Sequence, residues 1–157
     1  MTLLETLGAI LVGLIILAGA ALGLNSAFSS SKLGETEQNL ITLRMQVQQM
    51  FSGSSDYTGL DNALAIHAGL VPKPFIKGSS LRNSFGGDIT LAPVNGTSAF
   101  SITLTSIPQD ECTKLAKFQT DAWLSVNVNG TDVTGGTVAD IVAACASATN
   151  TITFTAR

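Results

Sequence analysis

Between Glu5 and Lys32 the chain carries no charged residue, and Leu7 to Leu24 within that stretch is built of Leu, Ile, Val, Ala and Gly alone. As a helix those residues reach roughly 27 Å, close to the ~30 Å hydrocarbon core of a bilayer, so the segment can span a membrane. A cleavable secretory signal would begin with Lys or Arg and end in a small-residue cleavage site. This run is instead flanked by Met-Thr-Leu-Leu-Glu and Asn-Ser-Ala-Phe-Ser-Ser-Ser, and it reads as a retained element. Gly8, Gly13, Gly19 and Gly23 punctuate it. Small residues let apolar helices approach closely, while each interior Gly weakens the helix by about 1 kcal/mol relative to Ala. Bending or local unwinding is therefore expected at Gly13, Gly19 and Gly23. The ordinary abundance of Gly in membrane helices accounts for one or two of the four.

Glu5 stands almost at the front of this run. Thr2-x-x-Glu5 fits a capping box, and a first-turn carboxylate suits the helix dipole, which is enough for a solitary helix. If many such helices bundle, Glu5 becomes buried, where an ionised side chain costs several kcal/mol unless paired. The cation nearest in sequence is the terminal amine of Met1, if Met1 is the mature start. An amine ~4 Å from a carboxylate attracts it by about 4 kcal/mol at an effective dielectric near 20. The amine of a neighbouring subunit would thus fix the axial offset between helices.

Beyond Ser31 the pattern becomes amphipathic. Leu33, Thr36, Leu40, Leu43, Val47 and Met50, with Phe51 beside the last, alternate in steps of three and four and mark one face of a helix. Glu35, Glu37, Gln38, Arg44, Gln46 and Gln48 lie off that face, and Gly53 with the Ser-Ser-Asp after it ends the helix. Leu60 to Ala68 predicts a short second helix containing His67, a surface or packed side chain with no ligand-spaced partner. Period-two alternation predicts strands at 88–94 and 99–105 across Asn95-Gly96, at 123–128 before Asn129-Gly130, and at 151–155. Short helices are expected at 108–118 and 138–146. The fold class is therefore α+β: a long N-terminal hydrophobic and amphipathic helix over residues 1–52, packed on a globular head of antiparallel sheet and short helices over 53–157.

The chemistry-bearing motifs of enzymes are missing: no HExxH, CxxC, GxSxG or phosphate-binding glycine loop occurs. Asp110 and Glu111 are adjacent and point apart on a helix, so they form no acid–base dyad. Gly86-Gly87 and Gly135-Gly136 read as turns. Asn95-Gly-Thr and Asn129-Gly-Thr fit the glycosylation sequon but are already accounted for as hairpin turns. A net charge of −3, with eight Lys and Arg scattered singly, leaves no basic stripe for a phosphate backbone. The reading is a non-enzyme with no cofactor, no metal and no direct nucleic-acid partner. Cys112 and Cys145 suit one disulfide in an oxidising compartment, two buried thiols being the alternative.

The start MTLLE, the run LGAILVGLIILAGAALGLNSAFSSSK and the later YTGLDNALAIHAGLVPK resemble the type IV pilins. Met1 in place of Phe resembles their type IVb branch, which includes the toxin-coregulated and bundle-forming pilins. The nearest resemblance is to the major pilins of thin conjugative-plasmid pili. Leu22 stands where many type IVa pilins have a kinking proline. The resemblance implies that a prepilin peptidase removes a leader and methylates Met1. Residues 1–24 then anchor the subunit in the bacterial inner membrane until an assembly ATPase and a platform protein extrude it. It implies a major subunit polymerised through its hydrophobic helix into an extracellular helical homo-oligomer for mating, adhesion or aggregation, with Glu5 setting register. It also implies that Cys112 and Cys145 bound an exposed D-region at 112–145. A minor pilin or type II secretion pseudopilin, and a single-pass anchored binding module, are the alternatives.

Overall fold

The computed structural model describes residues 31–118 and 120–157. The chain divides into two compact units, residues 1–34 and 35–157, and among the described residues every strand lies in the second. Met1, Glu5, Gly8, Gly13, Gly19, Gly23 and the rest of the proposed anchor at 1–24 lie outside the described residues. Among those described, no helix is long and apolar enough to cross a membrane.

Helix α1 covers residues 31–50. Thr36, Leu40, Leu43 and Val47 are fully buried, as steps of four, three and four dictate for a single helical face. Met50 departs from the expected face: it is 52% exposed. A step of four rather than three from Val47 keeps to the core side of a 3.6-residue period, so Phe51 takes that place, its ring 5.1 Å from Tyr57. Gly53, at φ +88°, then turns the chain off the helix.

Helix α2 (Asn62–His67) is capped by Asp61, whose carboxylate accepts from Leu64 N at 2.7 Å. It is shorter than the expected span 60–68 and buries Ala65, leaving Leu64 38% exposed and His67 at the surface. A short polar dock holds it: Asn62 donates to Ile89 O and accepts from Leu91 N, each at 2.8 Å, as a neighbouring strand would. After a 3-10 turn at Lys73–Phe75 comes a small hairpin, β1 (Ile76–Lys77) and β2 (Ser80–Leu81), which has too few residues to show alternation in sequence.

The main sheet contains β3 (Ile89–Val94), β4 (Ala99–Pro108), β5 (Ser125–Val128), β6 (Thr131–Asp132) and β7 (Thr149–Ala156), ordered β3-β4-β7-β5-β6 and antiparallel throughout. Helix α3 (Gln109–Lys117) and helix α4 (Val138–Ala144) interrupt the strand sequence. Ile89, Leu91, Ile102, Leu104, Val126, Val128, Ile152 and Phe154 are buried, and the residues between them along each strand are more exposed, the period expected of a sheet with one covered face.

β4 runs past the expected end at Thr105. Leu104 faces Ile152 while Ile107 faces Asn150, so one extra residue bulges out, with Ser106 at φ +58°. Asn83 braces the bulge: it donates to Thr105 O at 2.9 Å and accepts from Phe85 N and Gly87 N. Gly87 is obligatory there, because a Cβ would lie 1.9 Å from Thr105 O. The Gly86-Gly87 pair is thus half turn, half close approach. β5 likewise starts at Ser125 rather than Trp123, since Trp123 lies in a bend and turns inward onto Phe154, ring centres 4.8 Å apart.

Candidate functional site

Pro108 closes β4 and opens α3; its fixed φ of −59° fits the residue before a helix, and Asp110 and Glu111 fill the first turn. The helix thereby carries Cys112 into the interior. α4 starts at Thr137 with a complete capping box: Asp140 N donates to Thr137 Oγ1 at 3.2 Å, and Thr137 N donates to Asp140 Oδ2 at 3.0 Å. The Thr137 N–H, then its hydroxyl, hold the Asp140 carboxyl below the ordinary aspartate range. Cys145 follows at the end of α4 and is joined to Cys112 by a disulfide, Cα atoms 5.9 Å apart and both residues buried. The bridge staples α3 to α4 and bounds residues 112–145.

Within that region β5 and β6 form a tight hairpin across Asn129 (φ +51°) and Gly130 (φ +87°), the two positive φ values of a type I′ turn. The chain beyond it folds back: Thr134 Oγ1 accepts from Val126 N at 2.9 Å and donates to Asp132 Oδ1 at 2.6 Å. The Thr134 hydroxyl, with its N–H, keeps the Asp132 carboxyl low. Asp132 and Asp140 line one open cleft of about 410 Å³ with Ala143 and Ala144. Each carboxylate is committed to donors in its own loop. Among the described residues no group of three or more His, Cys, Asp and Glu could hold a metal.

Two amides tie the region together: Asn129, marked in the sequence only as a turn, and Asn150, which no sequence motif singles out. Asn150, 2% exposed, donates to Ile107 O and Ser147 O and accepts from Ser147 N and from Asn129 Nδ2. Asn129 in turn donates to Ala144 O and accepts from Thr151 N. The β5–β6 turn, the end of α4 and the start of β7 therefore share one polar knot beside the disulfide. A lone Asn ahead of a strand gives no signal until the topology places Ile107 and Asn129 around it.

The far side of the region meets α1. The Arg44 guanidinium lies 4.7 Å from the Trp123 ring centre and donates to Ala122 O at 3.3 Å. One turn on, Gln48 donates to the carbonyl of Arg157. Periodicity assigns both residues to the solvated side of α1. Their long side chains instead reach round its flank, which apolar spacing does not register. Outward from the fold, Val138 and Val142, four residues apart on α4, are 50% and 52% exposed.

A family model described as PilS N terminal matches residues 30–157. The chain belongs to this family. Two curated relatives, each titled major structural subunit of bundle-forming pilus, come from Escherichia coli O127:H6 (strain E2348/69 / EPEC) and E. coli O111:H-. They are 25% and 23% identical over 120 residues, or 74% of this chain. The chain spans 62% of the length of these relatives. The crystal structure of TcpA, a type IV pilin from Vibrio cholerae El Tor biotype, superposes with a TM-score of 0.57 at 18% identity, covering 81% of this chain and 99% of that one. The α+β pilin fold expected from the sequence is thus the fold of the chain.

Proposed function

We propose that the chain is the major structural subunit of a type IVb-like pilus. The observation that carries this reading is the fold likeness of this PilS N-terminal family member to a type IV pilin over 99% of the latter's length. The curated bundle-forming relatives, named for the same role, support it. In this reading residues 1–24 anchor the subunit in the inner membrane and later pack as the filament core, and residues 25–52 join that core to the head. Glu5 sets register against a neighbour's Met1 amine, while Gly13, Gly19 and Gly23 let the helix give. A prepilin peptidase, an assembly ATPase and a platform protein act on the chain, which is itself a building unit and not a catalyst. The D-region at 112–145 presents Val138 and Val142 to a neighbouring subunit, and the finished filament is extracellular.

The test is the intact mass and N-terminal sequence of protein sheared from cell surfaces. The expected result is abundant protein beginning at N-methylated Met1 with one disulfide. Protein found only in the membrane fraction, starting at an unmodified initiator Met, overturns the reading. Glu5→Ala is expected to abolish filaments while the subunit still accumulates in the membrane.

A further inference from the structure

Asn-Gly occurs twice in the chain, and the structure holds the two copies in opposite ways. The Asn129 carboxamide makes three hydrogen bonds, to Ala144 O at 3.0 Å, Asn150 Oδ1 at 2.7 Å and Thr151 N at 2.9 Å. Asn95, at the tip of the β3–β4 hairpin, is exposed. The turn there is closed behind it by Thr97, whose N–H and hydroxyl both donate to Val94 O, at 3.2 and 2.9 Å. Neither the Asn95 carboxamide nor the Gly96 N–H has a hydrogen-bond partner among the described residues. Space around Gly96 is open: a Cβ built there would meet nothing within 4 Å.

This pairing of a free carboxamide with an unshielded glycine nitrogen has a specific reactivity. The Gly96 nitrogen attacks Asn95 Cγ and a new C–N bond forms. The carboxamide C–N bond then breaks, and ammonia departs carrying the proton given up by the backbone nitrogen. The five-membered imide that results is opened by water at either carbonyl, leaving aspartate or, when the backbone-side bond is cleaved, isoaspartate. Nothing is oxidised or reduced, and solvent water is the only co-reactant. Glycine favours the step sterically, because a side chain at residue 96 would crowd the attacking nitrogen, restrict the rotation that brings it to Cγ and slow the reaction. Asn129 meets the same sequence requirement but must first surrender three hydrogen bonds.

We propose that Asn95 is a site of spontaneous deamidation, protected from neither side by the fold, and that Asn129 is its locked counterpart. The product would change the hairpin tip chemically. Asn95 lines an open cleft of about 420 Å³ with Asp56, Tyr57 and Thr58. The Thr58 N–H and hydroxyl keep the Asp56 carboxyl below its ordinary range, so that carboxylate is already ionised at neutral pH. Deamidation adds a second negative charge to the same cleft, and the isoaspartyl form lengthens the backbone of the turn by one methylene. A long-lived subunit thus gains negative charge at one defined place with age.

The experiment incubates the folded, disulfide-bonded full-length chain in mildly alkaline buffer. Peptide mass mapping that separates aspartyl from isoaspartyl products then follows both sites in time. Three hydrogen bonds to be opened predict Asn129 to convert on the order of a hundredfold more slowly than Asn95. In the same chain reduced and held in denaturant, the two are expected to convert at rates within a few-fold of each other. Equal rates in the folded protein overturn the proposal, as does an Asn95 that stays intact when folded but converts when unfolded. Asn95→Gln is expected to remove the acidic shift of the aged protein on isoelectric focusing; an unchanged shift would place the charge gain elsewhere and also refute it.

Discussion

At the scale of single residues, the most demanding positions are those whose polar groups are buried. Asn150 makes four hydrogen bonds at the junction of β4, β7 and the β5–β6 turn. Asn150→Ala leaves the Ile107 carbonyl and the Asn129 amide short of partners at once, so a loss of about 2–4 kcal/mol in urea unfolding is expected. It should also speed hydrogen exchange at Thr151 N. Arg44 is a different case, since its charge is only half-buried and its ring contact carries the contribution. Arg44→Ala should cost about 1–2 kcal/mol and shift the emission of Trp123, the only tryptophan, without loss of the far-UV signal. Neither role is written in the local sequence. A hydrophilic residue off an apolar stripe looks the same whether it faces water or curls back to the fold.

At the scale of elements, legibility follows the strength of the period. α1 and the β3–β4 pair repeat apolar residues over enough turns or pleats to fix type and face, and apart from Met50 and the bulged end of β4 they stand where alternation puts them. The bulge in β4 is not readable, because its cause is Asn83 and Gly87 reaching in from an earlier loop. β1, β2 and β6 have two residues each, below the length at which any period exists. α4 is the exception among short elements: seven residues with a threonine and an aspartate spaced for mutual capping. Its start depends on that cap, since only Ile141 of its own residues is buried. Thr137→Ala is therefore expected to cost about 1 kcal/mol in thermal or urea unfolding, and Thr137→Ser much less.

At the scale of the whole molecule, the disulfide and the carboxylates set the conditions of stability. The bridge closes a long loop, with its cysteines 33 residues apart. Replacing both with Ala should cost roughly 3–4 kcal/mol on the chain-entropy account, measured as a fall in the urea midpoint. Asp56, Asp132 and Asp140 titrate below their ordinary range when folded, so the unfolded chain binds their protons first as the pH falls. Their contribution is present at neutral pH and disappears as the pH drops below about 4 and through the lowered values. Glu37 runs the other way: burial raises its pKa, so its contribution is full below the ordinary glutamate value and fades as pH rises through the raised one. A denaturation series from pH 7 to about pH 2 should show a net decline at the acid end, three carboxylates outweighing one.

The position of β7 bears on how the molecule is made. It is the last strand in sequence yet lies between β4 and β5, with Ala156 opposite Phe100 and Val126 opposite Phe154. The β3–β4 hairpin and the β5–β6 hairpin each close on local contacts alone. Neither has a partner across the middle until the final strand arrives and zips both edges together. Because β7 supplies the inner pairings of both, the five-stranded sheet closes only when β7 has paired along both of its edges, a step of higher contact order than the growth of either hairpin.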